Sequence, residues 1–234
     1  MDIFDIPLIK DHILSIIIFL PLVGAFFLLL LKNGRAARWF TLSVTSMDFI
    51  LTIPLVLNFD RTLPAMQFVE RHSWIPSLNA QYYLGVDGIS VLFVFLTGII
   101  GWICVLASWT AIDRKVREFM ISLLFMQTAM MGVFSSLDVV LFYLFWEVMF
   151  VPMYAMIGIW GGPNRIYATI KFFVYTIAGS LFMLIGIVAL YRAGGTFDMT
   201  VLMTKGYPFN VQVLAFVFFF IAFAIKVPMF PFHA

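Results

Sequence analysis

The chain has 234 residues, 63% of them hydrophobic and 11% charged, with a mean hydropathy of +1.06. A soluble domain carries roughly twice that share of charge, so the composition excludes a soluble globular protein and predicts a polytopic membrane protein. A net charge of +2, with no basic run to track a phosphate backbone, argues against a nucleic-acid partner.

The N-terminal residues contain Asp2, Asp5 and Asp11 against a single Lys10, the wrong charge for a cleavable signal peptide. The first apolar run therefore reads as a permanent span. Hydrophobic runs predict an all-α architecture of seven spans at residues 13–31, 39–57, 89–108, 120–134, 139–160, 169–191 and 211–230. The fourth is short, and its helix is expected to begin near Val116. Loops are brief except 58–86, which contains Pro64 and Pro76 and is expected to lie across the membrane surface.

Lys32, Arg35, Arg38, Arg114, Lys115, Arg117 and Arg165 fall in one set of loops, and Lys10, Arg61, Arg71, Arg192 and Lys205 in the other. The bias toward the first set, carried by short loops, places that set in the cytoplasm, the N-terminus outside and the C-terminal end of this chain on the cytoplasmic side.

Thr41, Thr45, Asp48 and Thr52 in the second span lie on one helical face. They read as a polar seam that hydrogen-bonds a neighbouring helix; a second protonatable site at Asp48 is the alternative. Asp87 and Asp138, opening the third and fifth spans, suit helix N-caps.

Glu147 sits near the middle of the fifth span. An acid so deep in an apolar span costs at least a few kcal/mol, which makes it a functional candidate. Five residues later, Pro152 has no N–H to offer the carbonyl of Val148. In the sixth span, Lys171 either snorkels to the interface or joins a polar route with Thr169, Tyr175, Thr176 and Ser180, and Ala178-Gly179-Ser180 permits a close helix approach. The seventh span ends in Ala224-Ile225-Lys226-Val227-Pro228 with Pro231 and His233 beyond. Burial disfavours the charged form of a lysine, so a buried Lys226 can load and release a proton. Pro228 and Pro231 are expected to free the carbonyls of Ala224 and Val227 and to interrupt the span, a pointer to a transport site. The alternative is a helix that ends there with Lys226 snorkelling. His233 either relays protons or caps the end at the interface.

No paired histidines suit haem, no Gly-rich turn follows a strand, no acid cluster suits a divalent metal, and the lone Cys104 holds neither a cluster nor an internal disulfide. Glu147, Lys226 and the more peripheral Asp48 and Lys171 remain as titratable groups inside apolar spans. An acid and an amine on different helices can exchange a proton, each tuning the other, which points to ion translocation without chemistry on a substrate.

Four stretches carry a resemblance: Leu84-Gly85-Val86-Asp87-Gly88-Ile89-Ser90, Phe145-Trp146-Glu147-Val148-Met149-Phe150-Val151-Pro152-Met153-Tyr154, Lys171-Phe172-Phe173-Val174-Tyr175-Thr176, and Phe220 through Pro228. In order and spacing they resemble the antiporter-like membrane subunits of bacterial NADH–quinone oxidoreductase, respiratory complex I, of the M or mitochondrial subunit 4 type; Trp74-Ile75-Pro76 favours that type. The resemblance implies proton pumping by a Glu147–Lys226 pair. Lys171 matches a family lysine of less certain role, and Asp48 matches no family motif. It also implies inverted repeats of five helices, so that residues 1–115 form an N-terminal three-helix region and 116–234 an incomplete first repeat with a discontinuous seventh helix. No cofactor is expected in this chain; NADH, FMN, iron–sulfur clusters and quinone would belong to other subunits. The implied partners are the other membrane subunits of complex I, the adjacent antiporter-like ones above all, and lipids of a bacterial inner membrane. The family continues with an eighth helix and a second repeat, which this sequence lacks. A cation/proton antiporter or membrane-bound hydrogenase subunit shares the core motifs, and a non-conducting truncated fragment is a further reading.

Overall fold

A computed structural model describes residues 11–232. Helices appear where the apolar runs lie: α1 (Ile13–Leu28), α2 (Gly34–Leu57), α3 (Ser90–Ala111), α4 (Val116–Ser135), α5 (Val139–Val148), α6 (Phe150–Trp160), α7 (Arg165–Gly194), the short α8 (Met199–Thr204) and α9 (Phe209–Lys226). Among the described residues six helical stretches are long and apolar enough to cross a membrane, with α5 and α6 counted as one, Val139–Trp160. The α1 helix has 16 residues and ends at Leu28, short of the expected 31. The fourth span begins at Val116, as anticipated.

The long loop is the main departure from the expected all-α chain. Residues 67–86 fold into an antiparallel hairpin, β1 (Gln67–Ile75) and β2 (Ala80–Val86), joined by a turn at Pro76–Leu78 in which Asn79 takes the left-handed conformation that closes it. On β2 the residues Tyr83, Leu84 and Val86 are buried, and Leu84 bridges to Ser136 at the end of α4. The hairpin thus packs into the helix ends.

Helices α1 to α4 pack around two apolar clusters. One joins Ile13, Leu14, Ile17 and Ile18 of α1 with Leu51 and Leu55 of α2, Val91 and Val94 of α3 and Met131 of α4. The other joins Leu28 of α1, Ala37 of α2, Val105 of α3 and Met120 and Leu124 of α4. Bury-and-satisfy rules govern both ends of this group. At the hairpin end, Glu70 of β1 accepts the N–H groups of Leu14 and Ser15 at 2.7 and 3.1 Å, stopping the start of α1. Asp87 accepts from Ile89 N and Ser90 N while its own N–H donates to the Ser90 hydroxyl, and Asp138 accepts from Val140 N and Leu141 N, so both act as the expected caps. At the opposite end Arg38 donates to the Ile112 carbonyl and Arg114 to the Ile159 carbonyl, cations on the carbonyl ends of helices.

A second group forms from α5, α7, α8 and α9 around Val139, Met183, Ile187, Leu202 and Ala222. It is tied to the hairpin by Arg71, whose guanidinium meets Asp198 at 2.9 Å and lies over the Tyr83 ring at 4.5 Å.

Candidate functional site

The site lies where α5, α7 and the end of α9 meet. Between Val148 and Phe150 the fifth span is interrupted at Met149, three residues before Pro152 removes a donor. Met149 keeps right-handed helical angles (φ −60°, ψ −26°), so the interruption loosens the ladder without reversing the chain. Glu147 is the penultimate residue of α5, partly buried. Across from it, α7 presents the buried Ser180, which lies beside both the Glu147 carboxylate and the hydroxyl of Tyr143, one turn earlier on α5.

The approach of α9 to α7 depends on Gly179. A Cβ there would stand 3.3 Å from three atoms of Ile225, so a side chain would push α9 away; this is the close contact that Ala178-Gly179-Ser180 anticipates. One residue beyond Ile225, Lys226 ends the helix. Its Nζ is buried, has no hydrogen-bond partner among the described residues, and sits 5.1 Å from the centre of the Trp146 ring, a cation–π arrangement. Trp146 precedes Glu147, and the Lys226 ammonium acts electrostatically on that carboxylate. The two make no direct ion pair within 4.0 Å. The amine lies over the indole face instead.

The last helix ends at Lys226, with no helix beyond it among the described residues, and the Ala224 carbonyl is not free. Pro228 cannot reach it, and the Met229 N–H takes it at 2.8 Å in a wider turn. The helix end is thus satisfied while the chain beyond turns off the axis.

Lys171 lies two turns N-terminal to Ser180 on α7. With Tyr175 and Thr176 of the same helix, Met153 and Ile157 of α6, and Lys226 and Pro228, it lines a cavity of about 510 Å³. The structure therefore brings Lys171 and Lys226 to one cavity, which Glu147 does not line. Thr169 and Thr176 spend their hydroxyl protons on the Arg165 and Phe172 carbonyls of their own helix. His233 lies outside the described residues.

Three contributors were not singled out in the sequence as partners of the pair: Trp146, Tyr143 and the close placement of Ser180. The i, i+4 spacing of Tyr143 and Glu147 put them on one face, but which helix faces them is a tertiary fact. Asp48 is elsewhere, buried between α2 and α4, where Gln127 Nε2 donates to its Oδ2 at 2.5 Å.

Residues 136–234 match a family profile described as NADH:quinone oxidoreductase/Mrp antiporter, transmembrane region. NADH-quinone oxidoreductase subunit M of Rickettsia bellii is 41% identical over 230 residues, covering 94% of this chain and 47% of that protein. Subunit M of Rhodobacter capsulatus is 43% identical over 242 residues, covering 95% of this chain and 47% of that protein. The chain is related to NADH-quinone oxidoreductase subunit M. Its fold matches a chain in a solved structure of respiratory complex I from Thermus thermophilus with bound NADH, at a TM-score of 0.83 and 26% identity, covering 94% of this chain and 45% of that one. The chain spans about half the length of the curated subunit M relatives it matches. The profile begins at 136, so the Glu147, Lys171 and Lys226 motifs lie within the part it matches.

Proposed function

We propose that this chain forms the proton-handling part of a membrane subunit of an NADH:quinone oxidoreductase, with Glu147 carrying the proton and Lys226 as its electrostatic partner. The observation that carries the reading is the convergence of three features: an acid deep in an apolar helix, an amine at the end of the last helix, and a largely apolar cavity that this amine shares with Lys171, in a relative of subunit M. Lys171, on the same cavity wall, exchanges protons between the cavity and Lys226. The chain itself does no redox chemistry in this reading. NADH, FMN, iron–sulfur clusters and quinone act in other subunits, and the neighbours of this chain are other membrane subunits of the complex, with further antiporter-like subunits beside it.

Coupling is electrostatic. A change in charge on a neighbouring subunit shifts the balance between Glu147 and Lys226. Two charges beyond 4 Å at an effective dielectric near 20 interact by less than about 4 kcal/mol, and each ~1.36 kcal/mol moves a protonation equilibrium tenfold. A separated pair is therefore strong enough to direct a proton and weak enough to be reversed by a neighbour. The end bearing Arg38, Arg114 and Arg165 faces the cytoplasm of a bacterial cell, and the hairpin faces outside.

The test is Glu147→Gln in the full-length subunit within its assembled complex, in sealed vesicles. Proton translocation driven by NADH oxidation is lost while the complex stays assembled. Full translocation by an assembled Glu147→Gln complex overturns the mechanism. The matched profile also covers Mrp antiporters; cation-driven proton movement without NADH oxidation would favour an antiporter subunit instead.

A further inference from the structure

Asp48 is not explained by the Glu147 site. It is fully buried on α2, and its neighbours on that face, Thr41, Thr45 and Thr52, are buried with it. One carboxylate oxygen accepts from Gln127 of α4, and the other, Oδ1, has no partner among the described residues. The position is built by three helices. Gly101 of α3 stands where a Cβ would meet the Gln127 amide and have to displace it. On the two sides along the bundle lie the two apolar clusters: Leu51, Val94 and Met131 on one, Ala37, Val105 and Leu124 on the other.

No cation reaches this carboxyl among the described residues. The α1 helix has no titratable side chain, and α3 has only Cys104. On α4 the charged residues are Arg117 and Glu118, which pair with each other at 3.1 Å and lie about 14 Å along the axis from Gln127 at 1.5 Å per residue. On α2 itself Arg35 and Arg38 are in the first turn, and Arg38 is committed to the Ile112 carbonyl. A charge buried without a partner or a counter-ion is strongly disfavoured. A neutral acid is not: Gln127 satisfies one oxygen, and the other is open to a proton.

We propose that Asp48 is a second proton-binding carboxyl, set in the four-helix group and distinct from Glu147. Buried hydroxyls stand on the same helices: Thr45 and Thr52 on α2 donate to carbonyls of their own helix, and Thr128 and Ser135 on α4 have no hydrogen-bond partner among the described residues. The experiment measures translocation in the complex, so it rests on the proposed function, and it uses the full-length subunit assembled in sealed vesicles. Asp48→Asn keeps an oxygen for Gln127 but cannot bind a proton; Asp48→Glu keeps the carboxyl. Asp48→Asn is expected to assemble and to move fewer protons per quinone reduced than wild type, with Asp48→Glu recovering part of the loss. Wild-type stoichiometry in Asp48→Asn overturns the proposal and leaves a packing hydrogen bond. Failure of Asp48→Asn to assemble also overturns it, since the isosteric amide would then show a structural requirement. If the wild-type complex moves no protons on NADH oxidation, the proposed function itself fails, and the carboxyl is tested by infrared difference spectroscopy: a protonated-acid carbonyl band lost in Asp48→Asn sustains the proposal, and its absence in wild type ends it.

Discussion

Replacing Glu70 by Ala should unlatch the start of α1 from the hairpin. Glu70 is 3% exposed and accepts from Leu14 N at 2.7 Å and Ser15 N at 3.1 Å, with the Ser15 hydroxyl on its second oxygen. The same hydroxyl lies 2.5 Å from that of Tyr82, so the latch runs from α1 through β1 to β2. Loss of a helix-capping side chain costs about 0.5–2 kcal/mol, and hydrogen bonds to charged groups contribute about 1.5–3 kcal/mol each. Because the two N–H groups also become buried donors without acceptors, we expect about 3 kcal/mol for Glu70→Ala. At ~1.36 kcal/mol per tenfold, local opening rises roughly 150-fold. Hydrogen–deuterium exchange of peptides containing Leu14 and Ser15, in the full-length protein in detergent, reads this directly. Glu70→Gln keeps an acceptor oxygen and should fall between. Unchanged exchange at Leu14 and Ser15 in Glu70→Ala would refute the latch.

Arg71→Met removes the tie to Asp198 and the stack on Tyr83, but the guanidinium is half-exposed, so the expected loss is only about 1 kcal/mol, seen as a smaller fall in melting temperature than Glu70→Ala gives. Burial, with Asp198 nearby, holds the Asp138 carboxyl above its usual 3.8; its contribution to stability is complete below 3.8 and declines as pH rises through the raised value, and Asp138→Asn should flatten that decline in melting temperature. Gly179→Leu drives a side chain into Ile225 and overpacks the α7–α9 contact at a cost of about 1–3 kcal/mol, measured as reduced accumulation of the protein. In a Cys104→Ser background, Lys171→Cys should react with a water-soluble maleimide faster than Lys226→Cys, since the Lys226 amine is buried; equal rates would place both at one surface.

Periodicity and apolar length sufficed for the spans, because each helix must satisfy its own backbone within lipid. Even the early start at Val116 and the caps at Asp87 and Asp138 were legible, since capping is a local act. The hairpin was not. Its strand residues Val69, Glu70, Arg71, His72, Ser73 and Trp74 show no apolar alternation, and its buried face is made by α1 and the end of α4, contacts that no window of sequence contains. Lys226 shows the same limit at the site. A lysine before Pro228 announces a broken helix, but the indole beneath it comes from Trp146, eighty residues earlier in the chain. Gln127 was legible in principle as an amide in an apolar helix, though its match to Asp48 was not.

The two buried carboxyls differ in what stands opposite them, and the difference decides what each can do. Glu147 has the Ser180 hydroxyl and the Lys226 amine nearby, so in the proposed reading its charged form is partly compensated. Asp48 has only a neutral amide and an open oxygen, so its charged form has no compensation in place. In the proposed reading, a proton leaving Glu147 is answered by Lys226. A proton leaving Asp48 must be replaced at once by another, or by a cation or polarising group brought from outside the four-helix group. If both sites belong to one pumping cycle, Asp48 empties only while a neighbour supplies that compensation. Asp48→Asn should then reduce the protons moved per turnover, whereas Glu147→Gln should stop them.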